Sequence, residues 1–175
     1  MSNKRFHTVP FVWSRRVWLA TSLFFVLWVA SSCWFVWQMR AAEDITPSLV
    51  SLILTNVVFL PTMLLCEGYA PQRLEIGASK LVILRRYNSV TITTTQIRSI
   101  ERLPDNALRF AVRTFGCGGL FGYFGRFYTR QIGAFSLYAT CFENLYLITL
   151  LDGKKVVVSC AEPELLDEFC KEELK

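Results

Sequence analysis

The single histidine, His7, stands in a basic N-terminal stretch, so Ser-His-Asp, Cys-His and His-based metal sites all lack their central residue. The six cysteines contain no CxxC pair, and Cys33 and Cys66 fall inside long apolar runs. Cys117, Cys141, Cys160 and Cys170 are expected to be free thiols in a reducing compartment, serving as small buried hydrophobes. Carboxylates crowd together only in the last dozen residues, where nothing points to a pocket. Gly153-Lys154-Lys155 lacks the earlier glycine and the following hydroxyl that a phosphate loop needs. No enzyme activity, cofactor or metal is therefore expected.

One segment does stand out chemically. Residues 113–133 hold six of the nine glycines and six aromatic side chains. Gly116, Gly119, Gly122 and Gly125 recur at every third position, with Phe121, Tyr123, Phe124, Phe127 and Tyr128 between and after them. Four glycines without proline cannot form a collagen triple helix, and a GxxG nucleic-acid clamp needs a βα setting that is missing. Two readings follow for what is expected to be a long loop. Either its glycines let it fold tightly on the domain while its aromatics complete the core, or some of its aromatics, with Phe115 among the candidates, stand exposed beside Arg113, Arg126 and Arg130 as a surface for lipid headgroups or a neighbouring membrane protein. Both can hold for different side chains.

The elements that position this segment can be read from hydropathy. In a 175-residue chain that is 53% hydrophobic, 19% charged and of mean hydropathy +0.35, the apolar excess is concentrated in Val17–Met39 and Ile45–Cys66. Neither run holds an Asp, Glu, Lys or Arg, and each is long enough as a helix to cross a hydrocarbon core of about 30 Å. All five tryptophans precede residue 38, and Trp13, Trp18, Trp34 and Trp37 cluster near the ends of the first run, at headgroup depth. Lys4, Arg5, Arg15 and Arg16 precede the first span, and Arg73, Lys80, Arg85 and Arg86 follow the second, so both termini are expected to be cytoplasmic. The division expected is a basic tail (1–16), two spans (17–39 and 45–66) joined by a short external turn (40–44), and a cytoplasmic domain (67–175). Asn56, near mid-membrane, is expected to bond across to Ser31, Ser32 or Thr21.

After Cys66 the pattern changes to short, often alternating segments separated by turn residues about every ten positions, the signature of a small β domain. Strands are expected near 73–76, 80–86, 89–93, 97–102, 107–113, 134–141, 145–150 and 154–159. Asp152-Gly153 is a hairpin signal. From Pro163 onward, Leu165, Leu166, Phe169 and Cys170 form one apolar stripe of an amphipathic helix opposite Glu162, Glu164, Asp167, Glu168, Glu172 and Glu173.

The strand order, Ile97-Arg98-Ser99-Ile100 closing an early strand, and above all the run from Arg113 to Gly125 resemble the bacterial PH domains of small membrane proteins that carry two spanning helices. The resemblance covers about the last three fifths of the chain. It implies a two-helix transmembrane hairpin followed by a mainly-β, pleckstrin-homology-like split barrel capped by a C-terminal helix. It supplies no catalytic residues. Phosphoinositide binding, a habit of some eukaryotic PH domains, does not carry over, because Arg85-Arg86-Tyr87-Asn88 only weakly suggests their basic hairpin.

Charge agrees with a membrane setting: residues 67–160 carry 12 basic and 6 acidic groups, against 2 and 6 in residues 161–175. The basic residues make no stripe of the kind that binds nucleic acid. The expectation is a non-enzymatic protein of the bacterial inner membrane whose PH-like domain contacts lipid or protein through the Gly-aromatic segment. The alternative is a structural subunit that assembles with itself or with a larger membrane complex.

Overall fold

The computed structural model describes residues 7–41 and 43–173. Two helices come early, α1 (Arg15–Ala41) and α2 (Thr46–Tyr69), and both are long and apolar enough to cross a membrane. They run antiparallel. Phe24 stacks on Phe59 at 4.8 Å between ring centroids, and Trp28 Nε1 donates to Asn56 Oδ1 at 3.3 Å. Asn56 thus finds a tryptophan rather than the expected Ser31, Ser32 or Thr21. Its amide donates back to the Leu52 carbonyl and Ser31 to that of Trp28, which leaves the indole N–H to seek the remaining amide oxygen. Pro47 falls in the first turn of α2, where no intrahelical donor is needed, whereas Pro61 lies inside the helix.

Ten strands lie among the described residues. β1 (His7–Pro10), β2 (Pro71–Gly77), β3 (Lys80–Arg85) and β4 (Ser89–Thr93) form one antiparallel sheet in that order. The second sheet has the order β5 (Ile97–Arg102), β9 (Leu145–Leu150), β10 (Lys155–Ser159), β8 (Gly133–Ala139), β7 (Tyr123–Thr129) and β6 (Val112–Gly118). Its pairs are antiparallel except β10 with β8. Helix α3 (Pro163–Glu173) closes the described chain.

Strands β9 and β10 read as unbroken apolar runs because both of their faces are covered. Tyr146, Ile148, Val156 and Val158 meet Leu74, Leu81 and Ile83 of the first sheet and Leu166 and Phe169 of α3. On the reverse face, Leu145, Leu147 and Val157 pack with Phe127, Phe135, Leu137 and Leu108. The two sheets are split, not joined into one closed ring, as the expected fold class requires.

Three features depart from expectation. Residues 7–10 of the supposed tail form β1, paired with β2 from His7 opposite Ile76 to Pro10 opposite Arg73. Buried Val9 anchors that pairing, a signal too short to separate from basic tail composition. No strand covers 107–111. After Pro104 the backbone makes successive turns, with Ala107, Arg109 and Ala111 donating to Pro104, Asn106 and Leu108, and the turn residues override the apolar alternation. Most consequentially, the long loop expected at 113–133 is the β6–β7 hairpin and the turn leading to β8.

Candidate functional site

The hairpin owes its shape to its glycines. Gly116 of β6 faces Gly125 of β7, with φ values of +112° and +120°, in a region side chains rarely enter. The register shifts between Arg113 and Phe115, a bulge that lets the strand bend. At the tip, the Gly119 amide donates to the Gly122 carbonyl at 2.9 Å, with both residues again at positive φ.

That tip is seated on α1. The Phe121 amide donates to Thr21 Oγ1 at 3.0 Å, and the Phe121 ring meets Trp13 edge-on at 5.8 Å. The segment leading into α1 is tied to the end of β8: Thr140 Oγ1 donates to the Val12 carbonyl at 2.7 Å, and the Ser14 amide to the Thr140 carbonyl at 3.0 Å. The exit of α2 is held as well. The Tyr87 ring covers Gly68, the Tyr87 amide donates to the Gly68 carbonyl at 3.1 Å, and Arg86 pairs with Glu67 at 2.6 Å. Helices and β domain therefore form one packed unit.

Alternation along the hairpin sorts the candidate residues. Phe124, Phe127, Gly119 and Gly122 are buried, and Phe121, Tyr123 and Gly125 are half-buried. Exposed are Arg113, Phe115, Gly116, Arg126, Tyr128 and Arg130, with Phe115 at 76%. Each of the two sequence readings thus describes a different subset. β6 is an edge strand, and beyond its start Phe110 is 81% exposed.

Between the hairpin and α2 lies a cleft of about 780 Å³. Thr62, Leu65, Cys66 and Tyr69 of α2 form one wall, β6 and Phe124 the other, and Phe24 of α1 closes the apolar end. Arg85 sits where the walls meet, its guanidinium carbon 5.8 Å from the Tyr69 ring centroid and 5.2 Å from that of Tyr138. Its Nε is buried with no hydrogen-bond partner among the described residues. Arg113 also lines the cleft, and among the described residues no carboxylate does. The Cys117 thiol, buried beside Leu120, is held down to about 7, chiefly by a hydrogen bond with Cys66 and with help from Arg113. Burial pushes the Tyr123 phenol up.

A family model described as Bacterial PH domain matches residues 72–174. The chain belongs to that family. The matched region includes β2 to β10 and α3, so the PH domain acquires β1 from a segment that precedes both helices. No curated protein and no solved structure matches the chain.

Sequence reasoning missed the α2 side of the cleft and the role of Arg85 between two tyrosines. The available signal was Arg85 itself, a cation ending the apolar strand Leu81–Leu84. Among the described residues no group of three or more His, Cys, Asp or Glu side chains is placed to hold a metal.

Proposed function

We propose that the chain is a non-catalytic, membrane-anchored contact module. α1 and α2 cross the bacterial inner membrane with both termini cytoplasmic, and the PH domain engages lipid or a neighbouring membrane protein through the exposed side chains of its β6–β7 hairpin. The carrying observation is Phe115, 76% exposed on a strand whose neighbours include Arg113 and Arg126, in a hairpin whose tip rests on α1. A large apolar side chain so exposed beside cations suits the boundary between headgroups and water. The cations near the helix ends favour the cytoplasmic orientation.

A photo-crosslinking side chain at 115 or 128, in native membranes, tests the reading. Adducts with lipid or with another protein are expected from both positions. Position 157 reports on folding instead, because Val157 is fully buried in the core. If neither 115 nor 128 yields an adduct, the hairpin face is not a contact surface.

A second reading is favoured by the free edge of β6, which can pair with a second copy of itself to give a self-assembled scaffold. Adducts joining two copies of this chain through 115 would select it.

A further inference from the structure

We infer that the cleft between α2 and the β6–β7 hairpin binds one anionic phospholipid, its phosphate on Arg85 and Arg113 and an acyl chain along Phe24 and Leu65. The inference rests on the proposal that α1 and α2 span the membrane and deepens the contact reading, because Arg113 and Phe115 also line the cleft whereas Tyr128 does not.

Thr62 to Tyr69 occupies the last two turns of α2, about 10 Å along its axis. The cleft therefore runs from the hydrocarbon edge to the headgroup layer, with Phe24 and Thr62 at its inner end and Leu65 one turn from the exit of α2. Its volume of about 780 Å³ falls within the range of about 300–1,000 Å³ usual for small-molecule sites. Such a space receives a headgroup and the upper part of one chain while the rest stays in the leaflet.

Charge selects among lipids. Two guanidiniums line the cleft, and among the described residues no carboxylate answers them. The Nε of Arg85 is a buried donor without a partner among the described residues, which is costly unless a ligand supplies an acceptor. The flanking rings of Tyr69 and Tyr138 hold the guanidinium plane in place, and a fixed guanidinium suits a phosphate oxygen pair. A zwitterionic lipid brings a cation into the same space and gains less.

The test uses the full chain in nanodiscs of phosphatidylcholine and phosphatidylglycerol, released into mild detergent, with retained lipids counted by native mass spectrometry. Retention of one phosphatidylglycerol is expected over phosphatidylcholine by about tenfold or more, lost to a similar degree in the double variant Arg85→Gln, Arg113→Gln. Leu65→Trp, which fills the cleft and keeps both arginines, should lose the lipid as well, while Arg130→Gln retains it. Equal retention of the two lipids, or undiminished retention by Leu65→Trp, overturns the inference. A chain that fails to enter the discs overturns the spanning reading and this one with it, whereas missing adducts at 128 with lipid still retained would sink only the contact surface.

Discussion

Gly116 and Gly125 occupy each other's side-chain space across β6 and β7. A Cβ on Gly116 would collide with the Phe124 carbonyl and lie 2.8 Å from Gly125 Cα, and a Cβ on Gly125 would collide with the Phe115 carbonyl and lie 2.7 Å from Gly116 Cα. The obstruction is backbone on both sides, so it cannot be relieved by turning a side chain. Glycine at both positions is what allows the two strands to approach at this point.

Gly125→Ala should therefore be much worse than Gly153→Ala. Both residues have positive φ, which alone costs about 1–3 kcal/mol for a side chain, but a Cβ at Gly153 meets nothing within 4 Å. Thermal unfolding of the two variants in detergent checks this: a larger fall in midpoint is expected for Gly125→Ala. Equal falls would mean the strands separate freely.

Thr21→Val removes the acceptor for the Phe121 amide at the hairpin tip. An unsatisfied buried donor costs about 1–3 kcal/mol. Hydrogen exchange at Phe121 should accelerate, with little change at Val157 in the core, and unchanged protection at Phe121 would show that the tip is held by other contacts.

Most of the β domain was legible because its strands alternate or run apolar between turn residues, as Lys80–Arg85 and Leu145–Leu150 do. The hairpin at 112–129 was not. Its glycines recur every third residue, a period foreign to a strand, and only pairing of Gly116 with Gly125 turns that spacing into regular structure. The buried and exposed aromatics were foreseen as alternatives, but which was which depended on the register: Phe127 lies opposite Phe135 and turns inward, while Phe115 lies opposite Arg126 and turns out. The cleft was beyond reach for a different reason. Cys66, Arg85 and Cys117 are distant in sequence, and no local pattern announces that they meet.

Tyr146→Phe should loosen α3. The buried phenol donates to Asp167 Oδ1 at 2.8 Å, and burial followed by that carboxylate pushes its ionisation well up from the ordinary tyrosine value. A hydrogen bond to a charged group contributes about 1.5–3 kcal/mol. Denaturant unfolding should show a loss within that range, together with faster proteolysis within Pro163–Glu173. Because the folded-state value is raised, the contribution is complete below the unfolded tyrosine pKa and falls away only at higher pH.

Topology is best probed at Leu151, which is 66% exposed in the β9–β10 turn, rather than at buried Ser159. With the native cysteines replaced, Leu151→Cys should resist a membrane-impermeant thiol reagent on intact cells and react after lysis. Labelling without lysis would place the PH domain outside.

Cys117 offers a pH test of the contact between α2 and the hairpin. Its thiol is lowered from 9.0 to about 7 first by its hydrogen bond with Cys66, then by smaller contributions that include Arg113, against the opposing effect of burial. Ultraviolet thiolate absorbance, taken as the difference between the chain and its Cys117→Ser variant, should rise through neutral pH. A depressed folded-state value means that the unfolded chain binds the extra proton between the folded and unfolded values, so stability from this group is complete above the unfolded value and is lost as pH falls through the folded one. Cys66→Ala removes the principal cause, so the absorbance step should move upward towards the ordinary thiol range of about 8.5. Arg113→Gln should move it less, since the charge acts after the hydrogen bond in size. If the step lies near the ordinary value in the parent chain and Cys66→Ala leaves it there, Cys66 and Cys117 are not in contact. The wall of the cleft would then be open at that point.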